Sequence, residues 1–195
     1  MSSEQEFVET MSKWLVSLPH DLKILYEAAA DENIERKARE IAVGAIIYVV
    51  SPNDFISADR YDSFISYADD CLLLRFALQR VVAKDNEDTE FFKSRFPEFF
   101  ATLEQELAVC TGYMGELYDW LDSRVDTLTA LEYKGKKIKD YIDDDEASEF
   151  LYEDGLGFGT EYDVDEETLS DSFKKASSVI ALIQRRKDEE DKKVS

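Results

Sequence analysis

The sequence predicts an all-α protein: a helical bundle in which an apolar helical hairpin packs on a long amphipathic helix, with an acidic loop segment added. Three observations carry that prediction. The 195-residue chain holds only 7 Gly and 3 Pro, too few turn residues for the many reversals of a β-sandwich or barrel. Leu, Ala, Glu and Lys make up long runs of good helix formers. From Pro97 onward, apolar residues at Phe100, Leu103, Leu107, Cys110, Met114, Leu117, Leu121, Val125 and Leu128 recur in steps of three and four, drawing one stripe along a helix. A hydrophobic content of 44% is enough for a sizeable core, so a net charge of −21 does not make the chain a disordered acidic polymer.

In chain order, residues 4–17 and 19–30 read as two short amphipathic helices. Ser17 suits a cap between them, Pro19 a first helical turn and His20 a helix start. Asp31 or Asn33 opens a third helix that ends at Val50, because Pro52 disfavours helical geometry before it and donates no hydrogen bond. After a polar segment, Asp69 or Asp70 opens an apolar helix reaching about Lys84. Unbroken to Glu132, the stripe from Pro97 would form a rod of about 54 Å at roughly 1.5 Å per residue. Gly112 and Gly115 fall off the stripe and mark places for a bend or a close backbone approach. Beyond Glu132 the helical period is lost, and a small hairpin turning at Lys134-Gly135 fits the pattern. Residues 140–167 carry 13 acids and no Lys or Arg, which reads as an exposed acidic loop. Asp165 caps a last helix with Leu169, Phe173, Ala176, Val179, Ile180 and Ile183 on one face, and residues 188–195 read as a disordered tail. The expected organisation is a helical core over 1–132, an acidic connector over 133–168 and a helix over 169–187 packed back on the core.

Charge narrows the functional classes. Residues 1–84 carry 14 acids and 9 bases, whereas residues 85–170 carry 25 acids and 7 bases. An acidic second half opposes binding to nucleic acid and to anionic membranes, and favours a basic protein surface or a cation. Cys71 and Cys110 lie inside apolar patterns, too far apart for a zinc motif or a disulfide framework, and read as small buried hydrophobes in a reducing compartment. The first residues lack a signal-peptide layout. The longest uncharged apolar stretch, Ile41 to Val50, is ten residues, against the ~20 a membrane-spanning helix needs. A cytoplasmic protein without a transmembrane segment is expected.

The segment 51–70 sets Asp54, Asp69 and Asp70 at the mouth of the apolar hairpin. Carboxylates there serve first as helix starts, accepting hydrogen bonds from orphan N–H groups and meeting the positive end of the helix dipole, with Arg60 or Arg75 as counter-ion. The alternative is convergence on a divalent cation, since three acids at one place suit a hard metal. Gly155 to Thr160, "GLGFGT", resembles a phosphate loop but lacks the lysine and sits among acids, so a flexible connector is the plainer reading. Glu32 with Glu35, and Glu116 with Asp119, have the i, i+3 spacing of helical metal-dependent hydrolases, and equally that of solvated helix faces. His20 is the single histidine, which excludes a di-iron bundle with two Glu-x-x-His motifs and leaves no histidine triad. Trp14, Trp120 and the paired phenylalanines at 91–92 and 99–100 read as core or edge-of-core residues.

The run Ser51, Pro52, Asp54, Ile56, then Tyr67, Asp69 and Asp70 leading into an apolar helix, resembles the YkvA-like family of small helical proteins. The likeness covers about residues 36–83. Ser57 stands where that family has its second proline and Ser66 where it has a glycine, and the connection is two residues longer. The resemblance implies a helical hairpin, sometimes membrane-associated in relatives, and no established chemistry. The functional expectation is therefore a non-enzymatic acidic protein that binds a basic protein partner through Asp143, Asp144, Asp145, Glu146, Glu149, Glu153 and Asp154. Two alternatives stand beside it: a metal-dependent hydrolase using Asp54, Asp69 and Asp70, and a peripheral membrane protein using the hairpin. A divalent cation is the one cofactor the sequence admits.

Overall fold

The computed structural model describes residues 2–51, 66–165, 169 and 176–194. Where the sequence suggests two helices, the chain forms one, α1 (Ser3–Ala30), capped by the Ser2 hydroxyl accepting from the Gln5 amide. Pro19 lies inside it, and His20 is exposed in mid-helix rather than at a start. Proline removes the amide that would bond to the Leu15 carbonyl. That carbonyl accepts instead from the Tyr162 hydroxyl at 2.6 Å, so the break in the ladder is filled from a distant part of the chain. Phe7, Met11, Trp14, Leu18, Leu22 and Leu25 form the buried stripe of α1.

The apolar hairpin is α2 (Arg36–Val50) and α3 (Ala68–Val81). Every residue of α2 from Ile41 to Val49 is buried, and so is every residue of α3 from Ala68 to Leu78. Helices that are buried all round occupy the centre of a fold, and α1 packs across both. Their apolar surface is thus used inside the protein, and no described helix is long and apolar enough to cross a membrane.

Next comes α4 (Glu87–Arg95), which hydrophobic periodicity did not reveal. It starts at a capping box in which Asn86 and Thr89 exchange side-chain to backbone hydrogen bonds. The expected long rod is three pieces, α5 (Pro97–Met114), α6 (Glu116–Asp122) and α7 (Val125–Leu128). Gly115, at φ 57°, makes the first break, while Leu103, Leu107, Cys110, Met114, Leu117, Leu121, Val125 and Leu128 all stay buried along the stripe. α7 presses on α2 at Gly44, where an added Cβ would lie 2.7 Å from the Leu128 carbonyl oxygen.

β1 (Glu132–Tyr133) and β2 (Lys136–Lys137) form the expected antiparallel hairpin. Lys134 and Gly135 turn it with φ 48° and 77°, the positive pair of a type I′ turn. The expected acidic loop is largely helical: α8 (Asp140–Asp143) leads into α9 (Asp145–Glu161), which packs on α1 and α2. α10 (Ala176–Val194) buries Val179 and Ile183, and Leu169 is buried ahead of it. Residues 188–194 of the expected disordered tail are instead the end of this helix. Arg185–Glu189 and Lys187–Asp191 pairs at i, i+4 support it, and Glu190 ties it to Arg124 at 3.1 Å.

Candidate functional site

Two polar features stand out, one buried and one exposed. At the hairpin mouth, Asp69 and Asp70 occupy the first turn of α3 and are 0% and 1% exposed. Neither is the cap, a position held by Tyr67 with no side-chain cap bond. Asp69 accepts a 2.5 Å hydrogen bond from the Tyr48 hydroxyl of α2. Ser51 is buried with its hydroxyl 3.5 Å from the Tyr48 carbonyl, and the Tyr67 ring packs on Phe158 and Tyr162. Pro52, Asp54, Ile56 and Arg60 lie outside the described residues. Among those described, no group of three His, Cys, Asp or Glu side chains is arranged to hold a metal ion.

Arg75 does not serve these aspartates as counter-ion. Its guanidinium reaches Asp21 of α1 at 2.5 Å, Ser17 at 3.1 Å and the Cys71 carbonyl at 3.2 Å. It lies over the Trp14 ring at 4.2 Å, and the Trp14 indole in turn donates to Glu106 of α5 at 2.7 Å. With Asp21 and Arg75 3% and 2% exposed, the pair bolts α1 to α3 rather than presenting reactive groups. Sequence reasoning overlooked Asp21, whose signal was its place between Leu18, Leu22 and Leu25 on the apolar stripe of α1. The cysteines are free and buried as expected; burial pushes the Cys110 thiol up to about 12 and the Cys71 thiol well above its usual range, so neither is a nucleophile at neutral pH.

The exposed feature is α9. Three of the seven acids assigned to partner binding are already engaged within the protein. Arg36 clasps Asp143 through two bonds of 2.6 and 2.7 Å and holds its carboxyl below the usual carboxylate range. Asp144 caps α9 by accepting from the Glu146 and Ala147 amides, and Lys136 at 3.1 Å helps hold its carboxyl low. Lys134 bonds both oxygens of Asp154 at 2.7 Å. Asp145, Glu146, Glu149 and Glu153 are exposed and make no ion pair among the described residues. Beside them Phe150, Tyr152 and Leu156 are 53%, 47% and 49% exposed, among the few large apolar side chains that reach solvent in the described residues.

Glycines let α9 come close to α1. Gly155 sits against the Tyr26 ring, whose hydroxyl donates to the Leu151 carbonyl at 2.6 Å, and Gly159 lies over Pro19. "GLGFGT" is therefore the end of a packed helix, neither a flexible connector nor a phosphate loop. Between the two helices remains an apolar groove of about 230 Å³ walled by Pro19, Lys23 and Tyr26 on α1 and by Tyr152, Leu156 and Thr160 on α9. Glu116 and Asp119 are exposed on α6, as a solvated face would be, whereas Glu32 and Glu35 lie in the turn ahead of α2 and not on a helix face, with Glu35 paired to Lys84 at 2.7 Å. No family model matches the chain, and no curated protein or solved structure matches it at a significant level.

Proposed function

We propose that this is a non-enzymatic interaction protein of a reducing compartment, built on a YkvA-like helical hairpin, whose acidic second half engages a basic protein surface. One observation carries the reading. On α9 the carboxylates of Asp145, Glu146, Glu149 and Glu153 stand in solvent without ion-pair partners among the described residues, although neighbouring Asp143, Asp144 and Asp154 are each matched by a base. Unmatched like charge on a rigid helix repels its own neighbours and gains most from an incoming cationic surface.

The test is capture of partners from detergent-solubilised lysate of the protein's own source at low and high salt, beside a Glu146→Gln/Glu149→Gln/Glu153→Gln variant. Removing residues 140–167 would be a poor control, because it deletes buried Ala147 and Leu151 and the Tyr162 bond to α1. The expected result is a basic partner lost in high salt and lost from the neutralised variant. Capture indifferent to both changes would overturn the reading.

A further inference from the structure

We infer that the groove between α1 and α9 docks one amphipathic helix of the partner, with a large apolar residue seated between Tyr152, Leu156 and Tyr26 and a stripe of Lys or Arg lying over Glu149 and Glu153. This rests on the proposed reading of α9 as a partner-binding face and specifies the chemistry of what it binds. At about 100° per residue, Tyr152 and Leu156 share one flank of α9 with Asp145, Glu149 and Glu153. Apolar and acidic side chains thus interleave on a single exposed strip. Tyr152 is braced edge-on against Tyr26 at 5.2 Å, so the apolar wall is held in place before anything docks. Such an anchor loses little conformational freedom on binding. The groove runs along two packed helices and is bounded by helix walls, which suits a helix laid into it.

Charge selects the occupant. The α9 rim is acidic, so the partner's side facing it is basic. Lys23, on the opposite wall, has no ion pair among the described residues and repels cations there. The positive charge of the occupant is therefore confined to one stripe, as in an amphipathic helix, and is not spread all round as in a polybasic tail. Duplex nucleic acid and anionic lipid would meet the acidic rim with like charge.

The experiment is selection of a displayed library of random 18-residue peptides on the full chain, followed by affinity measurements with Tyr152→Ser, Leu156→Ser, Glu149→Gln/Glu153→Gln and Phe150→Ser variants. All these side chains are exposed, so the variants keep the core intact. Phe150 lies about 200° around the helix from Tyr152 and serves as the control. The expected peptides are net basic, with at least one large apolar residue. Their affinity should fall about ten-fold with the Tyr152, Leu156 or paired Glu changes and stay unchanged with Phe150→Ser. Basic peptides that depend on Glu149 and Glu153 but not on Tyr152 or Leu156 would overturn the groove and leave the acidic interaction reading standing. Neutral or acidic winners, or binding moved only by Phe150→Ser, would overturn both. A library that enriches nothing would overturn the groove, and the salt-dependent capture would then decide the broader reading.

Discussion

At the level of single residues, two bonds, one buried and one partly buried, hold α1 in its place. Asp21 and Arg75 neutralise one another where water is absent, so removing either side leaves the other charged and dry. Arg75→Leu is expected to cost about 3–5 kcal/mol in denaturant unfolding, and Asp21→Leu/Arg75→Leu less than that single change, since an apolar pair can replace a buried ion pair with little loss. A double variant as unstable as the sum of its parts would show that the two do not act as a pair. The second bond joins Tyr162 to the Leu15 carbonyl that Pro19 leaves unserved. Tyr162→Phe should cost about 1–2 kcal/mol through that orphaned acceptor. With Pro19→Ala in place the cost should shrink, because the substituted alanine supplies the missing amide; an unchanged cost would separate Tyr162 from the proline.

Among elements, α9 depends on how closely it can approach α1. Gly155 has no room for a side chain, since a Cβ would run into the Tyr26 ring, whereas Gly157 faces open space. Alanine at the two positions should act in opposite directions. Gly155→Ala forces α9 off α1 and should lower the melting temperature, while Gly157→Ala should raise stability by about 0.5–1 kcal/mol through helix propensity alone. Equal effects would mean that α9 is not seated against Tyr26. The same logic applies to Gly44 under Leu128, where a methyl group would meet backbone that cannot yield.

For the whole molecule, charge and pH set the stability. A net charge of −21 repels itself, and salt shortens the reach of that repulsion from ~30 Å at 0.01 M to ~8 Å at 0.15 M. Melting temperature is expected to rise over that range, because the exposed ion pairs that salt also weakens contribute little; a fall would show that the surface pairs outweigh the repulsion. Acid acts through Asp143 and Asp144, whose carboxyls are held low by Arg36 and Lys136. Groups lowered in the folded state stabilise it above their unfolded range and lose that contribution as pH falls through their folded values. Burial raises Asp122, whose contribution has the opposite sign and is lost as pH rises. Asp143→Asn should therefore flatten the acid limb of stability against pH and leave the limb above neutrality unmoved.

Local pattern was enough to read the all-α class, the buried hairpin of α2 and α3, the apolar stripe through Leu128 and the turn at Lys134-Gly135, because each is written in spacing over a few residues. The grouping of seven acids on one segment was legible too, but not that Asp143, Asp144 and Asp154 are bound by bases from elsewhere, nor that Asp21 claims Arg75. α4 carried its signal in Asn86 and Thr89, a cap and not a period. Tertiary contact decided the rest. α1 continues through Pro19 because Tyr162 supplies the lost bond, and the acidic stretch is helical because its buried residues Ala147, Leu151 and Gly155 let it pack on α1 and α2. A helix made of repelling acids and glycines is unstable alone, and its burial against a partner helix outweighs what its own sequence lacks.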